Sequence, residues 1–129
     1  MDSRKTYFVL SMLWTGVIFL SSTGLASSLA EAFYDAGINA LHLSSSHKLH
    51  FVVEKIFHVF LFFVLGWLFS PVPTGRKRTR TLVSILCCFV VGFLSELLQS
   101  LFPGREPRVS DVLINGLSGT ASSLLRICS

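Results

Sequence analysis

The chain has 129 residues, room for one domain, with 51% hydrophobic and only 14% charged residues and a mean hydropathy of +0.65. That balance excludes an ordinary soluble domain, in which about a quarter of the residues are charged, and points to a polytopic membrane protein. The formal charge of +4 comes without a basic run interleaved with aromatics, which argues against nucleic acid as a partner.

Four apolar runs follow one another along the chain, and together they predict an all-α protein with four transmembrane helices in a single domain spanning 1–129. The first, Tyr7 to Thr23, comes after Arg4 and Lys5. The second, Phe51 to Phe69, is rich in Phe, and its members Phe57, Phe60, Phe62, Phe63 and Phe69 are expected to face lipid or core. The third is Leu82 to Leu101. The fourth, Val109 to Ile127, is weaker in hydrophobicity and rich in Gly and Ser. At 1.5 Å per residue each can cross most or all of a ~30 Å hydrocarbon layer. The first run also has features of a signal peptide, with basic residues before it and Gly24-Leu25-Ala26-Ser27 after it. Its length and the membrane-type remainder of the chain favour a retained span.

Between the first two runs, Leu25, Leu29, Phe33, Ala36 and Ala40 recur at helical spacing, with Glu31, Asp35 and Asn39 on another face. This predicts an amphipathic helix on the outer membrane surface. Ser70-Pro71-Val72-Pro73-Thr74-Gly75 predicts a rigid turn. The small residues Gly116, Gly119, Thr120 and Ser123 predict close helix approach along the fourth run. Cys87, Cys88 and Cys128 form no CxxC pair or spaced framework, and they read as small membrane-embedded residues. No cofactor is implied.

Lys and Arg counts set the orientation. If the runs alternate in direction, seven of the eleven basic residues share one side: Arg4, Lys5, Arg76, Lys77, Arg78, Arg80 and Arg126. That side is then cytoplasmic, with both termini inside. The other side receives Lys48, Lys55, Arg105 and Arg108.

The same alternation gathers the costly in-span residues into one layer near the outer leaflet. A charge at the centre of a membrane helix costs roughly 2.5–3.5 kcal/mol on insertion scales, so a chain that keeps several close together is expected to use them. Lys55 shares a helix face with His58, Glu96 with Gln99, and Asp111 with Asn115. Three such faces at similar depth predict an outward-opening polar pocket, with Arg105 in the outer loop beside it. Arg105 can hold an anion with two parallel hydrogen bonds, and Lys55 adds a point charge. Glu96 is the candidate acid or base, and His58 the candidate proton shuttle. Gln99, Asp111 and Asn115 orient the ligand, the two amides as donor and acceptor at once. The competing reading is structural: Glu96 with Lys55, or Asp111 with Arg105, as ion pairs gluing helices together. His47, His50, Glu54 and His58 would fall within an arc of about 80° on one helix. Ser44-Ser45-Ser46 places the helix start near His47, however, and no metal site is expected there.

Two blocks in the chain resemble the VanZ-like family. Glu54-Lys55-Ile56-Phe57-His58 followed by Leu65-Gly66 is similar to its first block. Glu96-x-x-Gln99, Pro103-Gly104-Arg105 and Ser110-Asp111-x-x-x-Asn115 are similar to its second. The likeness spans Glu54 to Ser123, with Val59, Phe62, Ser118 and Ser122 as departures where the family has Phe, Tyr, Gly and Gly. It implies a small multi-pass protein of the bacterial cytoplasmic membrane. The family's named member is associated with resistance to the glycopeptide teicoplanin, so the resemblance implies a membrane lipid or lipid-linked envelope precursor as partner. Two alternatives stay open: an enzyme that hydrolyses or transfers a group on such a lipid, or a structural partner of another membrane protein. No Ser-His-Asp spacing, Walker loop or HExxH motif points to a known reaction.

Overall fold

The structure is a computed structural model. It describes residues 2–41, 47–103 and 107–128, apart from the side chains at 24–27, 29, 30, 47, 48 and 50. The described residues form five helices and no strand: α1 (Ser3–Ser21), α2 (Gly24–Leu41), α3 (His47–Phe69), α4 (Lys77–Gln99) and α5 (Val109–Cys128). The all-α expectation holds. Of the four predicted spans, however, only α3 and α4 are long and apolar enough to cross a membrane. Helices α1 and α5 have the length, but Arg4 and Lys5 dilute the start of α1. Asp111, Asn115 and a series of Gly, Ser and Thr dilute α5.

Local chemistry sets the helix ends. The Asp2 carboxylate accepts from the Arg4 N–H at 3.3 Å and caps α1, satisfying one of the donors a helix start leaves unpaired. The proline-rich turn after α3 ends at Gly75, whose φ of +112° suits a residue without Cβ. Arg76 then turns extended at φ −65°, ψ 152° to open α4. The Arg80 guanidinium reaches back to the Ser70 carbonyl at 3.3 Å, tying the start of α4 to the end of α3.

Helix α5 packs between α3 and α4, and α1 lies against α3. Backbone-to-backbone approach makes the α3–α5 contact possible. A Cβ on Gly66 would meet the Gly119 carbonyl and the Ser122 hydroxyl, and one on Gly119 would meet Cys88. Ser123 Oγ donates to the Gly66 carbonyl at 3.1 Å. Ser118 Oγ donates to the Val59 carbonyl at 2.6 Å. The small-residue face predicted on the fourth run is this packing seam. On the other flank of α3, Trp14 Nε1 donates to the Leu61 carbonyl at 2.8 Å, and Ile18 joins Leu61, Phe62, Leu65, Cys88 and Val91 in the apolar core.

Helix α2 forms where the amphipathic helix is expected. Among its described side chains Ile38 is buried, while Phe33, Ala36 and Ala40 of the expected apolar face stay exposed. The side chains of Leu25 and Leu29, assigned to that face, lie outside the described residues. Among the Phe residues of α3, Phe62 is fully buried while Phe57, Phe60 and Phe63 are exposed. All three cysteines are free. Cys88 is buried, Cys87 half-buried and Cys128 exposed at the end of α5.

The distribution of polarity is inverted relative to a water-soluble fold. Among the described residues, twelve buried side chains are polar or charged against seven that are hydrophobic. Large apolar side chains such as Leu13, Leu20, Phe57, Leu86, Phe93 and Leu97 line the exterior. Exposed apolar patches of such extent mark a surface that meets a membrane or another protein.

Candidate functional site

The polar residues converge at the end of the bundle formed by the start of α3, the end of α4 and the start of α5. Helices α3 and α5 run the same way, as the Val59–Ser118 and Gly66–Ser123 bonds require. Continuing that register outward brings Lys55 onto Asp111, and the two form an ion pair. His58 is buried one turn deeper on α3. Helix α4 runs the opposite way, with Gly92 lying level with Asn115 and Phe62. One turn further along α4, Glu96 reaches the start of α5, where its Oε2 accepts from the Arg108 backbone N–H at 3.4 Å. Gln99 closes the helix beyond it. Asp111, Lys55 and Glu54 all act electrostatically on the Glu96 carboxylate.

Burial here is severe for such polar groups. Asn115 is 0% exposed, Glu96 3% and Gln99 5%. Yet Glu96 Oε1, Gln99 Nε2 and both amide atoms of Asn115 have no hydrogen-bond partner among the described residues. A buried polar atom left unpaired costs about 1–3 kcal/mol, and folded proteins leave few of them without a functional or solvent partner. Beneath them Phe62, Leu61, Leu65 and Cys88 are buried and apolar.

At the mouth, two cations flank one ring. Lys55 Nζ stands 5.0 Å and the Arg108 guanidinium carbon 5.6 Å from the Phe51 centroid, a geometry in which the ring face attracts both charges. The first turn of α5, with the positive end of its dipole, opens at the same place.

Lys55, His58, Glu96, Gln99, Asp111 and Asn115 thus all fall at one end of the bundle, as the spacing predicts. The pairing differs from either structural reading. Lys55 takes Asp111 rather than Glu96, because α3 and α5 run side by side in the same direction and in register. Arg105 lies outside the described residues. Sequence reasoning missed Arg108 as a mouth residue, since nothing local links it to α3. Phe51 was legible, lying four residues before Lys55 on one helix face. Among the described residues no three His, Cys, Asp or Glu side chains are placed to hold a metal ion. The side chains of His47 and His50 lie outside that description.

The opposite end carries the basic residues. Arg126 donates from Nη1 to the Trp67 carbonyl at 2.6 Å and lies 4.4 Å from the Tyr7 ring and 5.1 Å from that of Trp67. The start of α1 and the ends of α3 and α5 therefore meet there.

These features define a class: a small helical bundle with an apolar exterior and a cluster of buried polar side chains at one end. Within that class, the VanZ/LLP1 family model matches residues 7–128, nearly the whole chain, and this chain belongs to that family. Neither curated proteins nor solved structures give a match.

Proposed function

We propose that this chain is a multi-pass protein of the bacterial cytoplasmic membrane. Its recess opens outward and binds an anionic envelope lipid or lipid-linked precursor, altering sensitivity to teicoplanin-type glycopeptides. Four helices cross the bilayer in this reading. At 1.5 Å per residue α1 and α5 reach about 28–30 Å and α3 and α4 about 35 Å, and α2 lies at the outer surface. The apolar exterior supports immersion in lipid. The seven basic residues at or beside the other end support cytoplasmic termini, by the bias of Lys and Arg toward the inside.

The observation that carries the reading is the set of unpaired buried atoms on Glu96, Gln99 and Asn115 beneath two cations at the mouth. Lys55 and Arg108 hold the anion, and Arg105, in the same link between α4 and α5, adds a fork of donors suited to phosphate or carboxylate. Asp111 fixes Lys55. Gln99 and Asn115 orient the bound group, and Glu96 with His58 handles protons. The family's named member is associated with teicoplanin resistance, and cell-wall precursors and glycopeptides meet at the outer leaflet, which supports an outward site.

The test is teicoplanin susceptibility of a host expressing wild type, Glu96→Gln or Arg108→Gln, with membrane amounts matched by blot. Both variants losing protection at equal abundance supports a working site. Protection unchanged in both assigns these residues to structure and defeats the reading.

A further inference from the structure

The basic end of the bundle carries a charge surplus that the protein itself does not answer. The start of α1, the end of α3, the turn and start of α4 and the end of α5 meet there. These segments hold seven cations and one acidic residue, Asp2, whose carboxylate caps α1. Resting on immersion of the apolar exterior in lipid, and not on the site at the Lys55 end, we infer a second lipid site here. The start of α4, with Arg4 and Lys5 of α1, binds anionic phospholipid headgroups of the leaflet at that end.

Two of the seven cations are committed to the fold. Arg80, half-buried, spends its guanidinium on the Ser70 carbonyl at 3.3 Å. Arg126, also half-buried, bonds the Trp67 carbonyl and stacks on the Tyr7 and Trp67 rings. The other five, Arg4, Lys5, Arg76, Lys77 and Arg78, are exposed. Among the described residues no ion pair or side-chain hydrogen bond engages them.

Three of those five open α4, where a helix favours anions. Aligned peptide dipoles put positive potential at a helix start. Helix α4 has no acidic residue in its first turn, and the Arg76 side chain makes no capping bond. Arg76, Lys77 and Arg78 therefore add like charge to that potential and to one another. An external anion offsets all of it at once.

Helical spacing sets the cations at headgroup depth. Arg78 shares a face with Leu82, Arg4 with Phe8 and Lys5 with Val9, each four residues on. Leu82, Phe8 and Val9 are exposed and begin the apolar exterior of their helices. Each cation thus stands about 6 Å outside the apolar band on the same face, at the level of lipid phosphates. Trp67, exposed at this end, is the kind of amphipathic ring that settles at a membrane–water interface.

The experiment uses the full chain carrying Trp14→Phe, which leaves Trp67 as the one indole and places the fluorophore at the basic end. The protein is reconstituted in phosphatidylcholine vesicles. Quenching of Trp67 by brominated phosphatidylglycerol is compared with quenching by brominated phosphatidylcholine at equal mole fraction. The expected result is a binding constant for phosphatidylglycerol at least about fivefold that of phosphatidylcholine, the contribution of one Lys or Arg near an anionic surface. The preference is expected to shrink in about 1 M salt, where the Debye length is about 3 Å. Arg76→Gln, Lys77→Gln and Arg78→Gln together are expected to bring the two lipids close to parity. No preference in the parent protein overturns the inference and leaves an acidic soluble protein as the partner these cations fit. A preference unchanged by salt, or unchanged in the triple variant, overturns it as well. The salt series on the parent decides the matter if the triple variant does not fold. Because the readout sits at Trp67, failure here leaves the Lys55–Arg108 site standing, and the teicoplanin assay tests that site separately.

Discussion

Removing Lys55 leaves the start of α3 without its charge and strands carboxylates around it. The Lys55 and Asp111 side chains are 18% and 12% exposed, so the pair is mostly but not wholly desolvated. Breaking a fully buried pair by losing one partner costs about 3–5 kcal/mol, because the remaining charge stays in a low dielectric. With part of each side chain still wet, roughly 2 kcal/mol is the expected cost for Lys55→Gln, about a thirtyfold shift in the folding equilibrium. Asp111→Asn is expected to cost less. It strands one lysine that keeps the Phe51 face 5.0 Å away, and it also removes a like charge from the neighbourhood of Glu96. Lys55→Gln does the opposite, leaving Asp111, Glu96 and Glu54 to repel one another. The double variant carries no stranded partner and is expected within about 1 kcal/mol of wild type, well short of additive. Unfolding in mixed detergent–SDS micelles, followed by helical circular dichroism, measures all four proteins. Additive losses in the double variant, or Asp111→Asn worse than Lys55→Gln, would refute the electrostatic account.

Two further predictions concern the scaffold. Gly66→Ala forces a methyl against the Gly119 carbonyl and Ser122 hydroxyl and is expected to lower stability by roughly 2–3 kcal/mol. Gly16→Ala has open space within 4 Å of the new carbon and is expected to stabilise α1 by about 0.5–1 kcal/mol, so the same unfolding assay should return opposite signs. Trp14→Phe keeps the ring but deletes the 2.8 Å bond to the Leu61 carbonyl; a loss of about 1 kcal/mol, near fivefold in the equilibrium, is expected.

Much of the site was legible because helices convert spacing into faces. Lys55 with His58, Glu96 with Gln99 and Asp111 with Asn115 each follow from three- or four-residue spacing, and a mere alternation of runs carries all three faces to one end. The partner within that end was not legible. Which carboxylate takes Lys55 depends on whether α3 packs on α4 or α5, and the Gly66–Gly119 approach decides for α5. Four spans were expected where α3 and α4 alone are apolar enough. Local hydropathy cannot see that the Ser and Gly diluting α5 face its neighbours: Gly116, Gly119, Ser122 and Ser123 are buried. Likewise α2 was legible as a helix, but not that Ile38 is buried while Phe33 is exposed.

By itself, then, the sequence determined a helical chain, the axial depth of its polar groups and the gathering of basic residues at the other end, since rise per residue and hydropathy are properties of single segments. The tertiary structure alone decided that Lys55 pairs with Asp111, that Arg108 joins it around Phe51, and that Glu96, Gln99 and Asn115 are buried with polar atoms unspent. Those are relations between helices, fixed by how closely small residues let two backbones approach, and no single segment contains them.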